Sequence, residues 1–234
     1  MAKALQLAAL CLVPLCCGGA APAGGTVAGV VIPNTPLALK AEDHVRALEP
    51  DFLFNHSQRT FVFGALRLKG RNIGFDPETA YVAALFHDLG LVQSQASERF
   101  SFEIDGANEA EKFVIANGGS NAQARTVWNA IAMHDLGGIY QAHQSHEALL
   151  VGAGAAGDVD GVDPKTIPPL AVAEVLRAYP RLQFKQRFTA AATDHCRRKP
   201  TAQIGWLQPL CWKVVPQAER GSVEEEIASA PFSE

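Results

Sequence analysis

Aromatic residues are scarce in this chain, at 8% of 234 residues, and runs of β-branched residues are few, whereas alanine recurs throughout. A sheet core draws on those missing types, so a composition that is 48% hydrophobic without them favours helices. A strong charge of one sign is missing too. Twenty basic residues face 24 acidic ones for a formal charge of −4, and the one basic cluster is Arg197-Arg198-Lys199. That distribution lacks the basic stripe a nucleic-acid partner requires. Nor does any run reach the ~20 apolar residues of a membrane-spanning helix.

Cysteine is sparse and unevenly placed. Three of the five, Cys11, Cys16 and Cys17, fall within residues 1–23. There a basic start at Lys3 precedes the short apolar run "ALQLAALCLVPLCC", and Ala21-Pro22-Ala23 offers an A-x-A-like cut point. This pattern reads as a cleavable secretory signal peptide and predicts a secreted or periplasmic protein. Cys196 and Cys211 then remain as an even pair in a disulfide-permissive compartment, either bridged or held as two separate buried thiols.

The rest reads as one helical domain. Residues 24–36 are Gly/Pro/Val-rich without helical period, an irregular lead-in. Helices are expected over Leu37–Leu48, Phe52–Lys69, Asp76–Leu89, Asp105–Asn117, Asn121–His134, His146–Gly157, Pro168–Ala178 and Phe184–Arg198. Asp76-Pro77 makes a good opening, with a capping residue before a first-turn proline, and Gly90 a natural stop. No segment alternates well enough to be a strand. The helical domain spans 37–215, and 216–234 is an acidic tail without an apolar face. "GAGAAG" at Gly152–Gly157 has the letters of a dinucleotide fingerprint but sits inside an expected helix, so small residues for close helix packing account for it better. "DVDGVD" after it lacks the spacing and closing glutamate of a calcium loop.

His-Asp-Leu-Gly occurs twice, at His87–Gly90 and His134–Gly137. Imidazole beside carboxylate suits zinc, iron or manganese. Further ligands must come from other helices. His56 lies among Phe52, Phe54 and Phe61 and is expected to face inward. Asp158 ends a small apolar helix, where a buried carboxylate needs a counter-charge. Taken singly, the histidine also fits as a hydrogen-bonded core residue and the aspartate as a cap. Convergence in one bundle favours a shared site.

The series His56, His87-Asp88, Asp158 on successive helices resembles the HD-domain superfamily of metal-dependent hydrolases. The resemblance covers about Phe52 to Asp158 and continues more weakly through "AYPRLQFKQRF". "NHSQRTFVFG", "AALFHDLGL" and "RFSFEIDGANEAEKF" are similar to cyanamide-hydratase-like members. It implies an all-α fold, a single HD-domain helical bundle. It also implies one divalent transition metal, zinc or iron first and manganese next, held by His56, His87, Asp88 and Asp158. The sequon at Asn55 is incidental on this reading, since a glycan there disrupts the site. In similar members a histidine occurs at the second copy without the aspartate. His134 is then a substrate contact or extra ligand, while Asp135 caps or faces solvent.

Such a metal acidifies a bound water. The superfamily resemblance implies attack on phosphorus; the narrower one implies attack on a nitrile carbon. Between His56 and Asp158 the basic residues (Arg59, Arg67, Lys69, Arg71, Arg99, Lys112, Arg125) are outnumbered by acids, and only Arg59, one turn from His56, falls near the centre. That favours a small neutral molecule as substrate. Arg59 has three readings: phosphate recognition, support through Asp88 or Glu103, or solvent exposure. Glu103 is a candidate proton shuttle or a first-turn helix acid. Three functions follow: a hydratase of small nitrile-like substrates, an HD phosphohydrolase of nucleotides or phosphomonoesters, and a non-catalytic exported binding protein.

Overall fold

Helix formation begins where the lead-in stops: Thr35 Oγ1 accepts a hydrogen bond from the Ala38 amide at 3.2 Å, and Pro36 occupies the first turn of α1 (Pro36–Leu48). In the computed structural model, residues 24–143, 145–202, 205–218 and 223–231 are described. Residues 1–23, read above as a signal peptide, fall outside them. The following helices are α2 (Asp51–Gly70), α3 (Pro77–Phe86), α4 (Phe102–Ala116), α5 (Asn121–Ala132), α6 (Gly138–Ala142), α7 (His146–Asp160), α8 (Pro169–Ala178), α9 (Phe184–Arg198), α10 (Gln208–Val214) and α11 (Val223–Ala228). The fold is all-α, as expected.

The lead-in departs from expectation. Thr26–Val27 (β1) and Val30–Val31 (β2) pair as an antiparallel hairpin, Thr26 opposite Val31, with positive φ at both Ala28 and Gly29 in the turn. Val27, Val30 and Ile32 are buried, so the hairpin covers the core rather than trailing from it. Strands of two residues are too short to show alternation. The helices α6, α10 and α11 were likewise not expected. The third of these lies within residues 216–234, read from the sequence as an acidic tail. Helix α4 starts earlier than anticipated, at Phe102, so Glu103 lies in its first turn.

Helix α3 is central: every residue from Thr79 to Phe86 is buried, and α1, α2, α4, α5 and α7 all pack on it. A helix apolar on all sides must sit inside the bundle. Beside it α2 and α7 approach closely. A Cβ on Gly154 would stand 2.0 Å from the Thr60 carbonyl oxygen, and one on Gly64 would stand 2.3 Å from that of Leu150. The small residues of "GAGAAG" thus allow backbone contact between helices. That contact brings the end of α7, with Asp158, against the His56–Arg59 stretch of α2.

A second apolar cluster joins α9 and α10 to one end of the bundle through Phe102, Phe184, Phe188 and Leu207. Cys196 and Cys211 form a disulfide within it, closing a loop of sequence separation 15. No described helix is long and apolar enough to cross a membrane.

Candidate metal centre

His87 and Asp88 follow directly on α3. Asp76 Oδ1 accepts from the Thr79 amide at 2.7 Å to start that helix, which ends at Phe86. His87 keeps helical angles (φ −61°, ψ −33°), but Asp88 (φ −106°, ψ 4°) has left the helix, and a 3₁₀ turn runs over Leu89–Leu91. The pair was expected inside the last turn; the earlier exit lets both side chains face one point. Gly90 makes the exit possible, since a Cβ there would lie 2.1 Å from the Phe102 carbonyl oxygen. The start of α4 is thereby seated beside the pair.

Each histidine is fixed by a bond from Nδ1. His87 Nδ1–H donates to the Ala84 carbonyl at 2.8 Å, and His56 Nδ1–H to Asp158 Oδ2 at 2.7 Å. Their Nε2 atoms lie 3.2 Å apart, and Asp88 Oδ2 is 3.3 Å from that of His56 and 3.4 Å from that of His87. All three residues are buried, and Asp88 Oδ2 has no well-aligned hydrogen-bond donor. Two imidazole lone pairs and a carboxylate oxygen at this spacing repel one another unless a cation sits between them. Ligand bonds of about 2.0–2.1 Å at tetrahedral angles separate neighbouring donors by about 3.3 Å. The residues therefore fit a divalent transition metal.

Electrostatics agree. Burial, only partly offset by Asp88, pushes His87 down to about 3, so it is a neutral acceptor. Burial also opposes charge on His56, but the Asp158 and Asp88 carboxylates raise it above its ordinary value. Burial disfavours the Asp88 carboxylate, yet His87 and His56 hold it well below the usual carboxylate range.

The structure brings three of the four expected ligands together: His56, His87 and Asp88 each offer an atom within 4.8 Å of the others. Asp158 is turned elsewhere. Its oxygens receive His56 Nδ1, a two-pronged clamp from Arg59 (Nε to Oδ1 and Nη2 to Oδ2, both 2.8 Å) and Arg181 Nη1 at 2.7 Å. Burial works against this carboxylate, while His56 and Arg59 keep it far below its ordinary pKa. Arg59 is fully buried, not solvent-exposed, and also donates to the carbonyls of Tyr179 and Pro180. Its partner is neither Asp88 nor Glu103. Asn55, of the sequon, donates Nδ2 to the Pro180 carbonyl.

Around the cluster lies a cavity of about 220 Å³, lined by His56, His87, Asp88, His134, Asp135, Asp160 and a set of apolar side chains. His134 donates Nδ1–H to the Ile131 carbonyl at 2.7 Å and directs Nε2 toward Asp88 Oδ1 at 3.7 Å. Asp135, expected at a cap or in solvent, is instead half-buried on the cavity wall. It meets Glu103, whose two oxygens are buried without an N–H or hydroxyl partner. Burial and the Asp135 carboxyl push Glu103 up to about 9, so Glu103 keeps its proton at neutral pH. The signal that could have found Asp135 was its place beside His134 in the repeated tetrapeptide.

Comparison with known proteins agrees with this geometry. No curated protein matches the chain at a significant level. Residues 53–153 match the family model described as HD domain. Over that stretch the chain is similar to HD domains, and His56, His87 and Asp88, all within it, could together hold a metal ion.

Proposed function

We propose that this protein adds water across the carbon–nitrogen triple bond of a small uncharged substrate of the cyanamide or nitrile type. The observation that carries this reading is the charge of the cavity wall. The described lining presents three imidazoles and the carboxylates of Asp88, Asp135 and Asp160, with no lysine or arginine. Arg59 and Arg181 are committed to Asp158, on the Nδ1 side of His56. A phosphate dianion placed here meets carboxylates and finds no guanidinium or ammonium, the groups that phosphate sites recruit. A neutral nitrile meets no such repulsion.

A divalent transition metal held by His56, His87 and Asp88 supplies Lewis acidity, lowering the pKa of water from about 16 to about 7. The chain's own groups do the rest. Asp158 keeps the proton of His56 on Nδ1, and Arg59 locks Asp158 to the Tyr179 carbonyl. These two act on the substrate only through His56, which they position. His134, outside the three-residue cluster, lines the cavity and meets water or a polar group of the substrate there. Glu103 supplies its proton through Asp135, which lines the cavity, to the nitrile nitrogen as the water oxygen bonds carbon, and the pair recovers one from the water. The hydrogen left on oxygen then moves to nitrogen through the same carboxyl pair, so both water hydrogens end on nitrogen. The two C–N π bonds and two O–H bonds give way to a C–O bond, a carbonyl π bond and two N–H bonds, and the product is an amide or, from cyanamide, urea. We place this chemistry outside the cell or in the periplasm, on the strength of residues 1–23.

An activity panel on metal-loaded protein tests the reading, with cyanamide and simple nitriles beside nucleoside monophosphates. Urea or amide should form without phosphate release. Phosphate release with no amide would assign the site to phosphoester hydrolysis.

A further inference from the structure

The cavity over the metal centre is larger than cyanamide needs. Its volume of about 220 Å³ is on the order of seven waters at roughly 30 Å³ each. Its chemistry is also two-sided. Imidazoles and carboxylates occupy one side, while Phe102, Tyr140, Phe188 and Trp206 contribute the aromatic part of the wall. In a chain only 8% aromatic, that concentration marks a surface shaped for an apolar group.

Trp206 stands out among the four. The other three are buried or nearly so, whereas Trp206 is 52% exposed, its ring centroid 6.5 Å from that of Phe188. Among the described residues, this large indole, half in solvent beside a cavity, has a face without a packing partner. Its backbone, however, is firmly placed. The Trp206 amide donates to Asp135 Oδ2 at 3.3 Å. Gly205 before it has φ +75°, and a Cβ there would lie 2.7 Å from a Leu136 methyl and 2.9 Å from Asp135 Oδ2. Only glycine passes that close in that conformation. Leu207 after it is buried, and α10 follows, tied to α9 by the Cys196–Cys211 disulfide. Helix α9 carries Phe188, and also Phe184, stacked on His56 with centroids 4.7 Å apart. The cross-linked α9–α10 unit thus sets the indole at a defined distance from the metal cluster.

We infer that Trp206, with Phe188, seats a planar apolar substituent of the substrate, so that the preferred substrates are nitriles bearing an aryl group rather than cyanamide itself. This rests on the nitrile-hydration reading above. Aromatic pairs prefer offset or tilted contacts, and the 44° between the two rings leaves a wedge that a phenyl group fills.

Benzamide, the product of benzonitrile hydration, probes the wall without being consumed. Its affinity for metal-loaded protein, measured by calorimetry, should weaken about tenfold in Trp206→Ala and recover in Trp206→Phe. The KM for benzonitrile should rise in step, with kcat falling less. A melting curve checks that the variant folds; Trp206→Leu, which keeps an apolar side chain but not the plane, repeats the test should alanine lower the melt. Equal benzamide affinity in wild type and Trp206→Ala would overturn the assignment, as would cyanamide hydration by a wild type that binds no benzamide. Binding of benzamide that depends on Trp206, in a protein that hydrates no nitrile, would uphold the aromatic wall and refute the proposed reaction.

Discussion

Arg59→Met removes a fully buried guanidinium and leaves the Asp158 carboxylate with only Arg181 and His56 to compensate it. Arg59 makes two charge-assisted bonds to Asp158 at 2.8 Å and donates to two backbone carbonyls, at 3.0 Å and 3.2 Å. Breaking a buried ion pair from one side typically destabilises by about 3–5 kcal/mol. Arg181 stays at 2.7 Å from Asp158 with 29% of its side chain exposed, and His56 can donate to the same carboxylate. These remaining partners place the expected loss at the lower end, about 3 kcal/mol. For a chain of this size that corresponds to a fall of about 6–12 °C in melting temperature. Urea denaturation of wild type, Arg59→Met, Asp158→Asn and the double variant gives the coupling directly. The double variant should be more stable than the sum of the single losses implies, because the one charge it leaves without its carboxylate, Arg181, is part-exposed rather than buried. If Arg59→Met melts within 2 °C of wild type, a shift corresponding to under about 1 kcal/mol, Arg59 is not the support described. A reading in which it binds substrate would return.

Three further outcomes follow from the packing. Gly154→Ala drives a methyl into the Thr60 carbonyl, where backbone rather than a flexible side chain must yield, and should destabilise by about 3 kcal/mol in the same urea assay. Cys196→Ser with Cys211→Ser should lower stability by about 3 kcal/mol, as expected for a 15-residue loop, and should weaken benzamide binding by releasing α10; unchanged affinity would detach the disulfide from the cavity. His195 is fully buried with neither ring nitrogen partnered, and burial, helped by the Lys199 and Arg198 cations, lowers it to about 4. Its folded pKa lies below the unfolded one. Its contribution is therefore intact above pH 6.5 and falls away toward pH 4, by about 3 kcal/mol in all. His195→Leu should flatten that part of the stability–pH curve; an unchanged slope would place the acid sensitivity elsewhere.

The residues show which features could be read from the chain and which could not. The long amphipathic helices, the capped start of α3 and the small-residue packing of α7 are local, written in spacing, caps and glycines. The association of His56, His87 and Asp88 was legible through the family resemblance of the motifs around them; the histidine–aspartate pair alone occurs twice and does not choose between its copies. The role of Asp158 was not, since it depends on Arg59 and Arg181 meeting its oxygens across 99 and 23 residues. Asp135 was misplaced for the same reason: its contact with Glu103 is made only when α4 and the end of α5 close on each other. The hairpin was missed because two residues per strand carry no period.

The account depends most on a cation shared by His56, His87 and Asp88. Metal analysis of the purified protein, with His87→Ala, Asp88→Ala and Asp135→Ala alongside, tests it most directly. Wild type and Asp135→Ala should each carry close to one divalent transition metal per chain, and His87→Ala and Asp88→Ala should carry almost none. Full metal content in both His87→Ala and Asp88→Ala would show that this cluster does not hold the ion.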